Sequence, residues 1–213
     1  AHPHIGSNRL PRIVQAMRET IEGHGGEVHF QQPMAGLSIH GGRAMGVTLK
    51  NGGCVEGRAV ILAPGHSARD IYTLFKSQDI ALEAKAFAMG VRVEHPQRLI
   101  DRIQYHGQPR GDYLPAAAYR LVQQVDGRGV YSFCMCPGGF IVPASTEPDA
   151  LVVNGMSFAK RNSPFANAGI VVEIALADIP GHIDRDVLAG LAFQQSLENL
   201  AHRHGGGDVV APA

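Results

Sequence analysis

Val60-Ile61-Leu62-Ala63-Pro64-Gly65-His66-Ser67-Ala68-Arg69-Asp70 is the stretch on which the reading of this chain turns. Residues 59–63 form a short apolar run with β-branched members, closed by Pro64-Gly65, and this predicts a buried central strand. Ser67 suits the cap of a following helix, which carries Ile71, Leu74 and Phe75 on one face and runs to about Ser77. In open α/β sheets, ligands sit beyond the carboxyl ends of the strands. A glycine there lets backbone approach a phosphate or ribose, and the helix N-terminus offers free N–H groups. His66 and Ser67 add donors. On residue chemistry alone this is a cofactor-compatible turn, and equally a strand–glycine–helix corner that binds nothing.

Working outward, Leu10, Ile13, Val14, Met17 and Ile21 recur at the spacing of one helix face. Ser7 or Asn8 is the expected cap, Pro11 sits in the first turn, and Gly23, Gly25 and Gly26 end the helix. Val28-His29-Phe30 reads as a strand. Leu37-Ser38-Ile39, the run 44–49 and Cys54-Val55-Glu56 follow, joined at Gly41-Gly42 and Asn51-Gly52-Gly53, and predict a three-stranded antiparallel meander. Beyond the decisive stretch, residues 87–94 alternate like a strand that His95-Pro96 breaks, and 97–105 look helical. Strands are expected over 119–125, 129–136, 151–154 and 169–176. A helix over 184–202 is closed by Gly205-Gly206-Gly207. The expected architecture is α/β over residues 1–83, then a mostly β second domain over 84–213.

With 45% hydrophobic and 18% charged residues, the composition is that of a globular protein. Zero formal net charge gives no support to a nucleic-acid surface. No apolar run approaches the roughly 18 residues that span a bilayer, and 1–4 do not open a signal peptide. Three cysteines, Cys54, Cys134 and Cys136, make a poor disulfide framework, so a reducing cytoplasm is expected. The sequence has no Walker loop, nucleophile elbow or H-E-x-x-H, and the histidines are scattered, so no metal site is expected.

The helix–strand step at Gly25-Gly26-Glu27-Val28-His29-Phe30, the meander and the 60–70 stretch together resemble the glutathione-reductase-type flavoproteins. More narrowly, the chain resembles the bacterial FAD-dependent dehydrogenase, or NAD(FAD)-utilising oxidoreductase, family. That resemblance is carried by residues 4–11, 65–70, 90–96, 131–139, 154–157 and 161–167. It implies a partial, Rossmann-like FAD-binding domain with the meander, then an inserted β-rich substrate or cap domain. It implies an FAD-dependent oxidoreductase acting on a small molecule, with NAD(P)H as a candidate electron donor. It places Val28, Ala63, Pro64, Gly65 and His66 on the adenosine side of FAD, and Gly138, Gly139 and Asn162 toward the flavin or substrate. Pro64 stands where the family pattern has Thr and removes a backbone N–H. The G-x-G-x-x-G that grips the pyrophosphate is absent, so the chain is expected to be an internal piece of a longer protein that holds FAD weakly or not at all by itself.

Cys134-Met135-Cys136 would put two thiols on one strand face. Thiol redox chemistry is one reading, and two small buried hydrophobes before a turn is the other. Pro137-Gly138-Gly139-Phe140 is either a hairpin turn or bare backbone against a flat ring. The loop 160–165 is either solvated or anion-binding. Arg92 and Glu94 share a strand face, where a cross-strand ion pair is expected. A non-catalytic, flavoprotein-like scaffold is the alternative to the enzyme.

Overall fold

A computed structural model of the chain describes residues 4–180 and 186–205. A 3-10 turn, Ser7–Arg9, leads into α1, Leu10–Gly23, with Pro11 in its first turn. Neither Ser7 nor Asn8 caps it. Asn8 instead accepts a hydrogen bond from the Ala159 N–H at 3.0 Å, tying the helix entry to a distant loop. Gly6, at φ 88°, packs against Ala159 so closely that a Cβ would overlap that backbone. Val28-His29-Phe30 forms no strand, because no neighbour among the described residues offers it a ladder.

The meander forms as expected. Strands β1, Met34–His40, β2, Arg43–Leu49, and β3, Cys54–Glu56, lie in that order, all antiparallel. Gly41 and Gly42 make the first corner at φ 56° and 74°, backbone that a two-residue hairpin turn requires.

The expected central strand over 59–63 is absent. These residues adopt no regular structure and are unpaired, and Ile61 is 90% exposed. An apolar run becomes a buried strand only when neighbours supply both a ladder and cover, and among the described residues none does. Helix α2, Arg69–Ser77, follows, without a side-chain cap: the Ser67 hydroxyl bonds the His66 ring at 2.8 Å.

The second half is built on a four-stranded antiparallel sheet. Its strands are β4, Phe87–Pro96, β5, Val122–Val125, β6, Arg128–Cys136, and β9, Phe165–Ile174, in the order β4-β9-β6-β5. His95-Pro96 does not break β4, which pairs with β9 through Pro96 and passes straight into α3, Gln97–Gln104. Proline is tolerated there because it ends an edge strand. Asp126-Gly127, both at positive φ, make the β5–β6 turn.

A separate hairpin of β7, Gly139–Pro143, and β8, Val153–Ser157, lies across one face of that sheet. Ile141 of β7 donates its N–H to Glu94 of β4 at 3.0 Å. The turn residues Gly139-Phe140 therefore begin a strand that the sequence pattern did not announce. The last helix is α4, Ala189–His204. The expected helix start at 184 and the stop at Gly206 and Gly207 lie outside the described residues.

The core is small, with Ile100, Ala117 and Ala166 at its centre and Tyr105, Tyr119 and Met135 around it. The accessible surface is 15,179 Å², against roughly 9,500 Å² for a compact chain of 22.7 kDa. The apolar face of α1 contributes to the excess, with Val14 64% and Met17 62% exposed.

One surface pair secures the far end of the sheet. Arg128 grips Asp178 with two hydrogen bonds, of 2.5 and 2.6 Å, and the Ala175 N–H donates to the same carboxylate at 2.8 Å. The Arg128 bonds, and then the Ala175 N–H, hold the Asp178 carboxyl down at about 2. A depressed folded-state pKa adds stability above the unfolded value, and that contribution is lost as pH falls through the folded one. Acid titration of unfolding should therefore show wild type and Asp178→Asn differing most above 3.8 and converging toward about 2. A gap that persists unchanged at the acid end would refute this.

Candidate functional site

Two regions hold the residues singled out in the sequence. The first is the 63–69 corner. Gly65 has φ 79°, and a Cβ there would meet nothing within 4 Å, so its backbone is bare and reachable. Ala63, Pro64 and His66 are exposed, and Val28 is half-buried. The backbone groups of 60–65 have no hydrogen-bond partner among the described residues. Behind the corner, Arg69 pairs with Glu198 of α4, both 19% exposed, which fixes α2 against α4. His66 lines two small cavities, one with Tyr72, Lys85 and Leu191 and one with Ser67, Arg69 and Thr146.

The second region lies where β4, β6 and β9 meet the β7–β8 hairpin. The Cys134-x-Cys136 pair does not share a regular strand face. The ladder slips between Phe133 and Cys136, with Cys134 at φ 43°. Cys134 is exposed, while Cys136 turns inward, its thiol toward the Cys134 carbonyl at 3.4 Å. Burial pushes the Cys136 thiol up, against the pull of the nearby Arg92 and Arg161 charges. Thiolate redox chemistry needs the opposite shift, so this geometry favours the packing reading of Cys136.

Pro137, Gly138 and Gly139 are buried. Gly138 has φ 56°, and a Cβ there would overlap the Arg161 carbonyl oxygen; one on Gly139 would overlap that of Met156. Their missing side chains thus serve contacts within the chain. The turn is held from beneath by Gln97, which the sequence reading passed over. Gln97 is buried, accepts from the Gly138 N–H at 2.7 Å, and donates to Asp101 at 2.8 Å and to the Ala117 carbonyl at 3.0 Å. A polar residue directly after His95-Pro96, at the start of a helix whose next turn carries Asp101, was the available signal. The clamp at Arg161 presents Asn162, which is exposed.

Arg92 and Glu94 do not pair across strands. Arg92 donates from Nη1 to Asn167 at 2.6 Å and to the Cys134 carbonyl at 3.1 Å, while Glu94 takes the Ile141 N–H. His95, on the other face, stacks on Tyr119 at 5.5 Å between ring centres, and burial lowers its imidazole below the ordinary range despite Glu94. Among the described residues, no group of three or more His, Cys, Asp or Glu side chains is placed to hold a metal ion. No described helix is long and apolar enough to cross a membrane.

Comparison with known proteins identifies a family. The family model described as "FAD-dependent protein, C-terminal domain-like" matches residues 86–213. An uncharacterized protein of Clostridium beijerinckii is 41% identical over 211 residues, covering 98% of this chain and 39% of that protein. The chain thus spans about two fifths of the length of that relative.

Proposed function

The chain belongs to the FAD-dependent protein, C-terminal domain-like family, and from that premise we propose that it supplies the substrate side and one edge of the flavin site of an FAD-dependent oxidoreductase. The observation that carries this reading is the bare 60–65 edge. It ends in a glycine with open space where a side chain would stand, so the sugar or adenine portion of a nucleotide could approach its backbone. Bound FAD would supply the hydride or electron transfer, with NAD(P)H as the candidate donor.

The chain's own residues would bind and orient. Ala63, Pro64 and Gly65 offer backbone surface, His66 offers a ring nitrogen, and Val28 offers apolar cover on the adenosine side. Asn162 is exposed and follows Arg161, whose carbonyl packs against Gly138, and there it would meet the flavin ring or the substrate. The unpaired 60–63 segment would then become a strand of a Rossmann-like sheet built with residues beyond this chain. The excess apolar surface on α1 supports such a partner.

The test is the full-length protein. It should purify with, or take up, FAD and show visible flavin absorbance, and Gly65→Ala should reduce flavin occupancy at a conformational cost of only about 1–2 kcal/mol, which leaves the protein folded. A full-length protein that neither carries nor takes up FAD would sink the reading and favour a non-catalytic scaffold.

A further inference from the structure

Under the β7–β8 hairpin, hydrogen-bond donors converge without enough acceptors. Asn167 is fully buried, its Oδ1 is occupied by Arg92, and its Nδ2 has no partner. Arg161 Nε is also buried and unpartnered. Arg92 uses only Nη1, so its Nη2 and Nε have no acceptor among the described residues. Among the described residues, neither arginine pairs with a carboxylate. Glu94, the nearest acid on the strand, is engaged with Ile141. The Cys136 thiol does not supply the missing negative charge, because burial keeps it in the neutral form.

The register brings these groups together. Glu94, Asn167 and Cys136 face each other across three strands, and Arg92 is two residues along on the same face. Gly155 of β8 closes over them. A Cβ at that position would overlap both Arg92 Nη1 and Asn167 Oδ1, so the cluster needs a glycine above it. Phe133, beside Arg92 in the register, is 55% exposed, so the cluster lies at the margin of the hairpin's cover.

Buried donors are normally satisfied, and a surplus of them marks a place for an acceptor. The guanidinium fork is planar and matches a carboxylate two-for-two. We propose that Arg92 and Asn167, with Arg161 beside them, seat the carboxylate of a small organic acid. Arg92 takes the oxygens through its free edge, and Asn167 Nδ2 adds one donor. A phosphate would bring a second negative charge and further oxygens toward Glu94, whose carboxylate stands opposite Asn167 in the register, so a planar monoanion suits the place better. This deepens the proposed function by naming a substrate class, and rests on that reading only in calling the acid a substrate; binding is tested without flavin chemistry.

The experiment is saturation-transfer NMR of benzoate on the full-length protein. Transfer to benzoate is expected, and acetate should displace it, whereas sodium chloride at equal ionic strength should not. Arg92→Gln should weaken the signal at least several-fold, with Arg92→Lys intermediate and Arg128→Gln unchanged. Three results would overturn the proposal: no transfer in wild type, transfer that Arg92→Gln leaves intact, or displacement by phosphate but not by acetate. Should Arg92→Gln fail to fold, the three-anion competition in wild type decides by itself. Loss of flavin in the full-length protein with benzoate binding retained would sink the oxidoreductase reading and leave this one standing.

Discussion

Gly138→Ala is expected to destabilise the protein by about 3–5 kcal/mol, a large share of the stability of an ordinary domain. Two costs add. The residue sits at φ 56°, where an L side chain is strained by roughly 1–2 kcal/mol. The new methyl would also overlap the Arg161 carbonyl oxygen, which belongs to backbone and has little freedom to retreat. Gly127→Ala is the matched control. It has φ 76°, but nothing lies within 4 Å of its Cβ position, so only the conformational cost of about 1–2 kcal/mol applies. Urea unfolding of the two variants isolates the Arg161 contact as their difference. Equal losses would show that the 158–163 loop yields freely and that the turn is not clamped.

Gln97→Met should cost about 3–5 kcal/mol although it conserves the side chain's volume. The amide makes three bonds in a buried place: from the Gly138 N–H, to Asp101 and to the Ala117 carbonyl. A thioether replaces none of them well, and it leaves a buried N–H and a buried C=O unpaired, at roughly 1–3 kcal/mol each. Asp101 retains the Ala117 N–H at 2.9 Å, so the helix itself should persist. Because Gln97 and Gly138 share a hydrogen bond, the double variant should lose less than the sum of the singles. Strict additivity would mean that Gln97 supports α3 and not the turn.

Both predictions concern a part of the molecule that the linear pattern described poorly. Pro-Gly-Gly was legible as a turn, but whether its bare backbone faced a ligand or its own chain was not. That depends on Arg161 and Met156 arriving from a loop and a strand some twenty residues away. Gln97 was invisible for the same reason. A buried amide has no periodic signature, and its role exists only once Asp101, Ala117 and Gly138 surround it. The 63–69 corner was more legible, since Pro64-Gly65 and the following helix are local features.

What the sequence determined by itself is therefore local. The apolar stripe of α1, the glycine corners of the meander and the alternation of β4 were readable because their causes lie within a few residues. The tertiary structure decided the rest. Residues 59–63 carry the composition of a central strand, yet stay irregular and unpaired, because a strand is completed by its neighbours and not by its own side chains. Arg92 and Glu94 sit two apart on one face, yet each finds a different partner, because the register of β9 sets Asn167 within reach of Arg92 and the hairpin crosses above Glu94.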